Sequence, residues 1–114
     1  MWAGVAFVLI STIDRTEPVP IAVEPTDGAR DVPVTTLIVL RFERPVDRYS
    51  LAEYAEIYPP TPGSFEVDGT LARFVPREPL LPGTYYELAL KGGFQDRAGR
   101  VLRRTFRFVF TTRG

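Results

Sequence analysis

The segment Leu80-Leu81-Pro82-Gly83-Thr84-Tyr85-Tyr86 decides the fold of this chain of 114 residues. Its spacing, Leu-x-Pro-Gly-Thr-x-Tyr, precedes a predicted strand. Successive side chains of a strand point to opposite faces, so we expect Tyr86 to face the interior and Tyr85 to face solvent. In some two-sheet proteins, a tyrosine at the start of the penultimate strand returns its hydroxyl to an upstream backbone group in a tyrosine corner. The segment predicts such a corner, framed by Pro82 and Gly83, and the alternative is an ordinary aromatic residue of a strand.

Outward from this segment the chain consists of short apolar runs, and 11 prolines and nine glycines lie between them. Regular punctuation of this kind is typical of an all-β sandwich or barrel. In the last run, alternation places Phe106, Phe108 and Phe110 on one face and Arg107 and Val109 on the other. The predicted core comprises Ile38, Leu40, Phe42, Phe74, Tyr86, Leu88, Leu90, Phe106, Phe108 and Phe110.

The expected architecture is about seven antiparallel strands in two sheets, with one short helical turn near residues 50–54. Ser50 followed by Glu53 has the spacing of a capping box, which places the helical turn. The pair Asp68-Gly69 is the strongest short-range signal for a β-hairpin, and it joins two of the strands. The predicted strands cover residues 21–23, 34–42, 55–58, 64–67, 71–75, 85–90 and 101–112.

A series of short motifs connects these elements to a known family. The motifs are Pro25-Thr26-Asp27-Gly28-Ala29, Val32-Pro33, Ile38-x-Leu40-x-Phe42, Pro45-Val46-Asp47, Phe74-x-Pro76, Pro79-Leu80-x-Pro82-Gly83-Thr84-x-Tyr86, Asp96-x-x-Gly99 and Phe106-x-Phe108-x-Phe110-Thr111-Thr112. In this order they resemble the bacterial immunoglobulin-like (Ig-like) domains of the S-layer-protein type. The middle of the chain, residues 57–65, also resembles Ig-like modules found beside bacterial macroglobulin and cell-wall domains. The resemblance implies an Ig-like β-sandwich that spaces, displays or scaffolds neighbouring domains of a surface assembly, and it implies no reaction.

The chain has no cysteine and no histidine, and its 14 basic and 14 acidic residues cancel. These absences remove disulfides, thiol nucleophiles, imidazole bases and nearly every zinc or copper site. Periplasmic copper carriers share the Pro-Gly-Thr motif and a late phenylalanine-rich strand, but they bind copper through histidine and methionine, and the only methionine here is Met1. A neutral chain also lacks the positive field that attracts nucleic acid or an anionic membrane. We therefore expect no cofactor, no nucleic-acid partner and no enzyme activity.

Acidic residues in predicted turns are the only candidates for a metal or catalytic site. Calcium requires about six to eight oxygen ligands, whereas each loop here offers one or two carboxylates. Glu66 and Asp68 share one face of a strand, but we expect them to flank a hairpin in water, where neither carboxyl is tuned for acid–base chemistry. We interpret these acidic residues as ordinary turn residues, with calcium as the alternative. The turn carboxylates are Asp27, Asp31, Asp68 and Asp96.

The last hairpin carries a run of arginines. We interpret them as a solvated face that discourages edge-to-edge pairing, with an acidic polymer or an anionic cell wall as the alternative partner. The arginines are Arg97, Arg100, Arg103, Arg104, Arg107 and Arg113.

Four tyrosines are candidates for a partner contact: Tyr49, Tyr54, Tyr58 and Tyr85. If they cluster on one sheet or at loop ends, they favour a module that binds a glycan or a protein. If they are scattered, they favour a structural spacer.

Residues 1–13 are almost wholly apolar, and residues 14–18 are mostly polar. Thirteen residues span about 20 Å as a helix, short of the roughly 30 Å hydrocarbon core of a bilayer. The length suits the apolar region of a signal peptide, although a basic n-region and a small-residue cleavage site are missing. We expect a signal or anchor remnant, with an extra strand or a contact with another chain as alternatives. The predicted division is a leader and tether over residues 1–17 and an Ig-like domain over 18–114, in a secreted or cell-surface bacterial protein.

Overall fold

The computed structural model describes residues 17–114, which form two four-stranded β-sheets. The strands are β1 Ala22–Glu24, β2 Ala29–Val32, β3 Ile38–Arg41, β4 Ala55–Tyr58, β5 Gly63–Asp68, β6 Leu71–Pro76, β7 Tyr85–Leu90 and β8 Phe106–Thr112. One helix, α1 Arg48–Tyr54, directly precedes β4. The first sheet has the order β1-β3-β6-β5 and the second has the order β2-β8-β7-β4. The predicted all-β Ig-like sandwich is confirmed. The leader and tether predicted over residues 1–17 lie, except for Glu17, outside the described residues.

The second sheet contains a strand that the sequence did not predict. This strand is β2, which brings the number of strands to eight instead of the predicted seven. It pairs with β8 in parallel, so the expectation of antiparallel pairs throughout is wrong. The sequence places Asp27 and Asp31 in a turn, and no apolar alternation marks the four residues of β2, of which only Val32 is buried. Two hydrogen bonds just before β2 already join the chain to β8. The Gly28 amide donates to the carbonyl of Val109, and Asp27 Oδ1 accepts from the amide of Val109.

The core lies between the two sheets, where inward side chains of paired strands meet. Nine of the ten predicted core residues are buried, and Phe106 is the half-buried exception. Phe106 begins β8 opposite Leu90, the last residue of β7, so it lies at the end of the sheet where cover is incomplete. Buried apolar residues that alternation did not select lie mainly outside the long strands. They are Val32, Val46, Leu51, Ala72, Leu80, Ala89, Phe94 and Leu102.

The start of α1 differs from the prediction. Asp47, in extended backbone, is the N-cap, and its side chain accepts a hydrogen bond of 3.2 Å from the amide of Ser50. The helix therefore begins before Ser50, and the predicted Ser50–Glu53 capping box is wrong. A carboxylate that accepts from an amide of the first turn satisfies a backbone donor that the helix leaves free. The helix is fixed to the sandwich by Leu51, its one buried residue.

The predicted hairpin between β5 and β6 is present, with its turn shifted by one residue. Asp68 pairs with Leu71, so Gly69 and Thr70 form the two-residue loop. Gly69 has a φ of +61°, a conformation that glycine adopts without steric cost. The carbonyl of Gly69 also accepts from the amide of Val46, which ties the hairpin to the loop before α1.

Candidate functional site

Tyr86 lies in the core with its hydroxyl at the edge of the sandwich. The hydroxyl accepts a hydrogen bond of 2.8 Å from the amide of Leu81, and the ring stacks on Phe110 with centroids 5.4 Å apart. This is the geometry that the sequence predicted for a tyrosine corner. Thr112 binds the same loop from the neighbouring strand, because its hydroxyl donates to the carbonyl of Leu81 at 2.6 Å and accepts from the amide of Thr84 at 2.9 Å. Alternation alone did not indicate this role of Thr112, which is buried although it is polar.

Pro82 and Gly83 form the turn between Tyr86 and its backbone donor. Gly83 has a φ of +58°, and its amide donates to the carbonyl of Arg113 at 2.8 Å. The Thr84 hydroxyl donates back to the carbonyl of Pro82 at 2.8 Å. The turn is therefore held from both sides by hydrogen bonds.

The four candidate tyrosines do not form one cluster. Tyr54 is half-buried and packs against the core, with its ring close to Gly93. Tyr49 lies on α1 and is 68% exposed. The Arg48 guanidinium lies over the Tyr49 ring, 4.9 Å from its centroid, and donates to its hydroxyl. That hydrogen bond raises the pKa of Arg48.

Tyr58 and Tyr85 do share a surface. Tyr58 pairs with Glu87 on β7, and Tyr85 lies two residues before Glu87 on the same strand. Paired residues and residues two apart on a strand point to the same side of a sheet. Both tyrosines therefore lie on the outer surface of the second sheet, where Tyr58 is 69% and Tyr85 is 63% exposed.

A groove lies beside Tyr49, between α1 and the edge strands β4 and β5. Its volume is about 350 Å³, and its apolar wall includes Ile57, Phe65 and Phe74. The rings of Phe65 and Phe74 meet edge to face with centroids 5.2 Å apart, so this wall is continuous with the core.

Two of the turn carboxylates, Asp27 and Asp96, accept hydrogen bonds from backbone amides. Asp96 is the buried one: its Oδ1 accepts from the amides of Ala98 and Arg100, both at 2.9 Å, and its Oδ2 pairs with the Arg100 guanidinium at 3.2 Å. Asp31 adopts a φ of 54°, a left-handed conformation in which aspartate is enriched among non-glycine residues. Among residues 17–114, no three acidic side chains come together in a group that could hold a metal ion.

The carboxylates Glu66 and Asp68 lie on β5 beside the strand that carries Arg73, and Glu66 is ion-paired. Glu66 forms a cross-strand ion pair of 2.9 Å with Arg73, which lies opposite it on β6. Both side chains are about half exposed, so the pair lies in water at the edge of the first sheet. This arrangement is typical of a surface salt bridge and provides no enclosed site for proton transfer.

The arginines of the last hairpin are partly compensated within the chain. Arg100 pairs with Asp96, and Arg107 lies 3.5 Å from Glu87. Arg113 donates to a backbone carbonyl of β2 at 3.3 Å. The positive charge free to attract an anionic polymer is therefore smaller than the count of six arginines indicates.

The comparison with protein families decides the family of the chain. A model of the bacterial Ig-like domain matches residues 14–112. The chain belongs to the bacterial Ig-like domain family. This family consists of non-catalytic modules, and the resemblance drawn from the sequence motifs is confirmed.

Solved structures that are similar to this Ig-like domain include two enzymes and a surface protein. L,D-transpeptidase 1 of Mycobacterium tuberculosis is 26% identical with a TM-score of 0.58, over 84% of this chain and 39% of that protein. An L,D-transpeptidase of Mycobacterium smegmatis is 22% identical with a TM-score of 0.63, over 86% of this chain and 41% of that protein. The N-terminal part of the bacterial S-layer protein SbsC is 22% identical with a TM-score of 0.60, over 97% of this chain and 26% of that fragment. The Ig-like domain therefore spans about two-fifths or less of the length of these proteins.

A comparison with curated proteins finds no match to the chain. Within residues 17–114, α1 is short, and no helix combines the length and apolar character that a membrane crossing requires.

Proposed function

We propose that this Ig-like domain is a non-catalytic structural or display module of a bacterial cell-surface or secreted protein. The observation that carries the proposal is the use of its polar side chains. Among residues 17–114, the two buried polar residues are Asp96 and Thr112. Asp96 binds backbone groups of its own loop, and Thr112 binds the loop before β7 from the neighbouring strand β8. Glu66 is neutralised across the strand by Arg73. Side chains engaged in this way hold turns and strands together, which is a structural role.

The lengths of the similar proteins support a modular role. In an L,D-transpeptidase and in the S-layer protein SbsC, a unit of this fold accounts for less than half of the chain. We propose that the present domain likewise serves neighbouring domains of one surface protein, by spacing them or by holding one away from the cell.

The location can be tested by protease treatment of intact bacteria that produce the protein with an epitope tag following Gly114. We expect the tag to be removed from intact cells, because a surface module is accessible from outside. A cytoplasmic protein is the control, and it should stay intact until the cells are lysed. A tag that is cleaved only after lysis would contradict the proposal.

The spacer role can be tested by replacing the domain, in the protein that carries it, with an unrelated Ig-like sandwich of matched length. If its role is spacing, the replacement restores the phenotype that deletion causes. If the replacement behaves like the deletion, surface residues of this particular domain matter, and the purely structural proposal is wrong.

A second candidate function, a binding module that acts through aromatic residues of a sheet face, is favoured by one observation. Tyr58 and Tyr85 are large, exposed, and on the same surface of the second sheet. Exposed aromatic side chains that share a surface are a common feature of recognition sites.

A further inference from the structure

We propose that the outer surface of the second sheet binds a neutral glycan across Tyr58 and Tyr85. We call this surface the tyrosine face, and it consists of Tyr58, Tyr85, Glu87, Val109 and Thr111. The inference rests on the second candidate function, names its ligand class and its residues, and is independent of where the protein is located.

The two tyrosines are diagonal neighbours. Tyr58 lies opposite Glu87, and Tyr85 is two positions along β7 from Glu87, on the same side of the sheet. Diagonal neighbours of adjacent antiparallel strands lie about 7–8 Å apart, within reach of aromatic side chains. Two aromatic side chains at this separation can lie against the same oligosaccharide chain.

The rest of the face supplies contacts that suit a sugar. Tyr85 lies opposite Thr111, and Glu87 lies opposite Val109. A hydroxyl, a carboxylate and an apolar side chain therefore lie on the same face as the two rings. The C–H face of a pyranose packs on an aromatic ring, and its hydroxyls bind polar groups at the margin.

The charges of the surface favour a neutral ligand. The charged residues within β4, β7 and β8 are Glu56, Glu87 and Arg107. Glu87 lies 3.5 Å from Arg107, and Glu56 lies 3.6 Å from Lys91, which follows β7. The surface carries no net charge from these four residues, so neither a polyanion nor a polycation gains from the long-range field of these strands.

The same pairs argue against a protein partner of ordinary composition. The cores of protein–protein interfaces are depleted of Glu and Lys, because burying a charge requires its complete desolvation. On this surface, Glu87 lies directly beside Tyr58, and its ion pair would be covered by any flat protein partner. A bound glycan leaves the protein surface partly hydrated. Its hydroxyls can also replace the water that the Glu87 carboxylate loses on binding.

The experiment is a calorimetric titration of the full 114-residue chain with β-1,4-linked tetramers of glucose and of N-acetylglucosamine. We expect at least one tetramer to bind. Tyr58→Ala and Tyr85→Ala should each weaken that binding roughly fivefold or more, as loss of a central aromatic contact does. Tyr58→Phe and Tyr85→Phe keep the ring and should retain most of the affinity. Tyr49→Ala removes an equally exposed tyrosine away from the face and is the matched control, with no expected change.

Four results would overturn the proposal: no binding of either tetramer at millimolar concentration, binding that Tyr85→Ala leaves unchanged, stronger binding of polyphosphate than of the tetramers, or self-association of the chain that Tyr85→Ala abolishes. The last result would assign the face to a second copy of the chain. The melting temperatures of the alanine variants are measured alongside and should match the unsubstituted chain, since both side chains are exposed. None of these results affects the protease and replacement tests of the structural role, so the two proposals fail separately.

Discussion

The amide of Leu81 donates to the hydroxyl of Tyr86 over 2.8 Å, and this bond joins the turn before β7 to the aromatic core. Tyr86 is 2% exposed, and its ring stacks on Phe110. Its hydroxyl is the one polar group of this buried side chain, and the Leu81 amide provides its hydrogen bond. The bond spans only five positions in sequence, yet it fixes how the chain enters the second sheet.

Replacement of Tyr86 by phenylalanine should remove this bond and keep the packing. We expect Tyr86→Phe to lower the free energy of unfolding by about 0.5–1.5 kcal/mol, because the Leu81 amide loses its partner. Tyr85→Phe is the control and should have almost no effect, since that side chain is exposed. Chemical denaturation measures both, and equal losses would contradict the corner.

Phe108 is the central aromatic residue of β8, and it is 1% exposed. Phe108→Ala should lower the free energy of unfolding by about 3–5 kcal/mol, because it leaves a cavity between the sheets. The adjacent Arg107→Ala is the matched control, and loss of its exposed ion pair with Glu87 should cost at most about 1 kcal/mol. A similar loss of free energy of unfolding at the two positions would contradict the assignment of Phe108 to the inner face of β8 and Arg107 to the outer face.

Gly63 is a position where the neighbouring strand leaves no room for a side chain. A Cβ added there would lie 2.5 Å from both the Phe74 ring and the carbonyl of Val75. Gly63→Ala should therefore shift β5 away from β6 and cost about 1–3 kcal/mol. Gly114→Ala, which meets nothing within 4 Å, is the control. An unchanged melting temperature for Gly63→Ala would show that β5 can move without penalty.

Asp96 is a buried carboxylate with three partners in its own loop. Asp96→Ala leaves two amides and the Arg100 guanidinium without that acceptor, and we expect a loss of roughly 3 kcal/mol. Glu78→Gln, an exposed acidic change, should cost almost nothing. If thermal unfolding of the two variants coincides, Asp96 does not hold the loop.

The turn carboxylates should not bind calcium. Asp27 accepts from the amide of Val109, and Asp96 is engaged in its own loop, so each is committed to a backbone group. We expect the same melting temperature with millimolar calcium and with a chelator. Calcium bound only by the native state at about a hundred times its Kd would add about 2.7 kcal/mol, which a melting curve detects.

Local patterns predicted the parts of the fold that depend on neighbours in sequence. The position of Tyr86, the alternation of Phe108 and Phe110, and the hairpin that follows Asp68 all follow from a few adjacent residues. β2 could not be predicted in this way, because its pairing depends on Val109, which lies far along the chain.

The candidate site also combines features that neighbours in sequence determine with features that distant pairing determines. The sequence predicted that Tyr85 faces solvent, because alternation with Tyr86 requires it. It could not show that Tyr58 joins Tyr85 on one surface while Tyr49 and Tyr54 do not. That distinction depends on the register between β4 and β7 and on the start of α1, which Asp47 sets.

The parallel pairing of β2 with β8 has a mechanical consequence. If the two ends of the domain are pulled apart, β2 is drawn by its first residue and β8 by its last, so the two strands are forced to slide past each other. The hydrogen bonds between them then carry the load together and must break nearly at once, whereas antiparallel strands drawn from one end open bond by bond. Once β1 has been peeled away, resistance to tension therefore depends on the pairing of β2 with β8. In that pairing Ala29 lies opposite Phe110, and Val32 lies opposite Thr112.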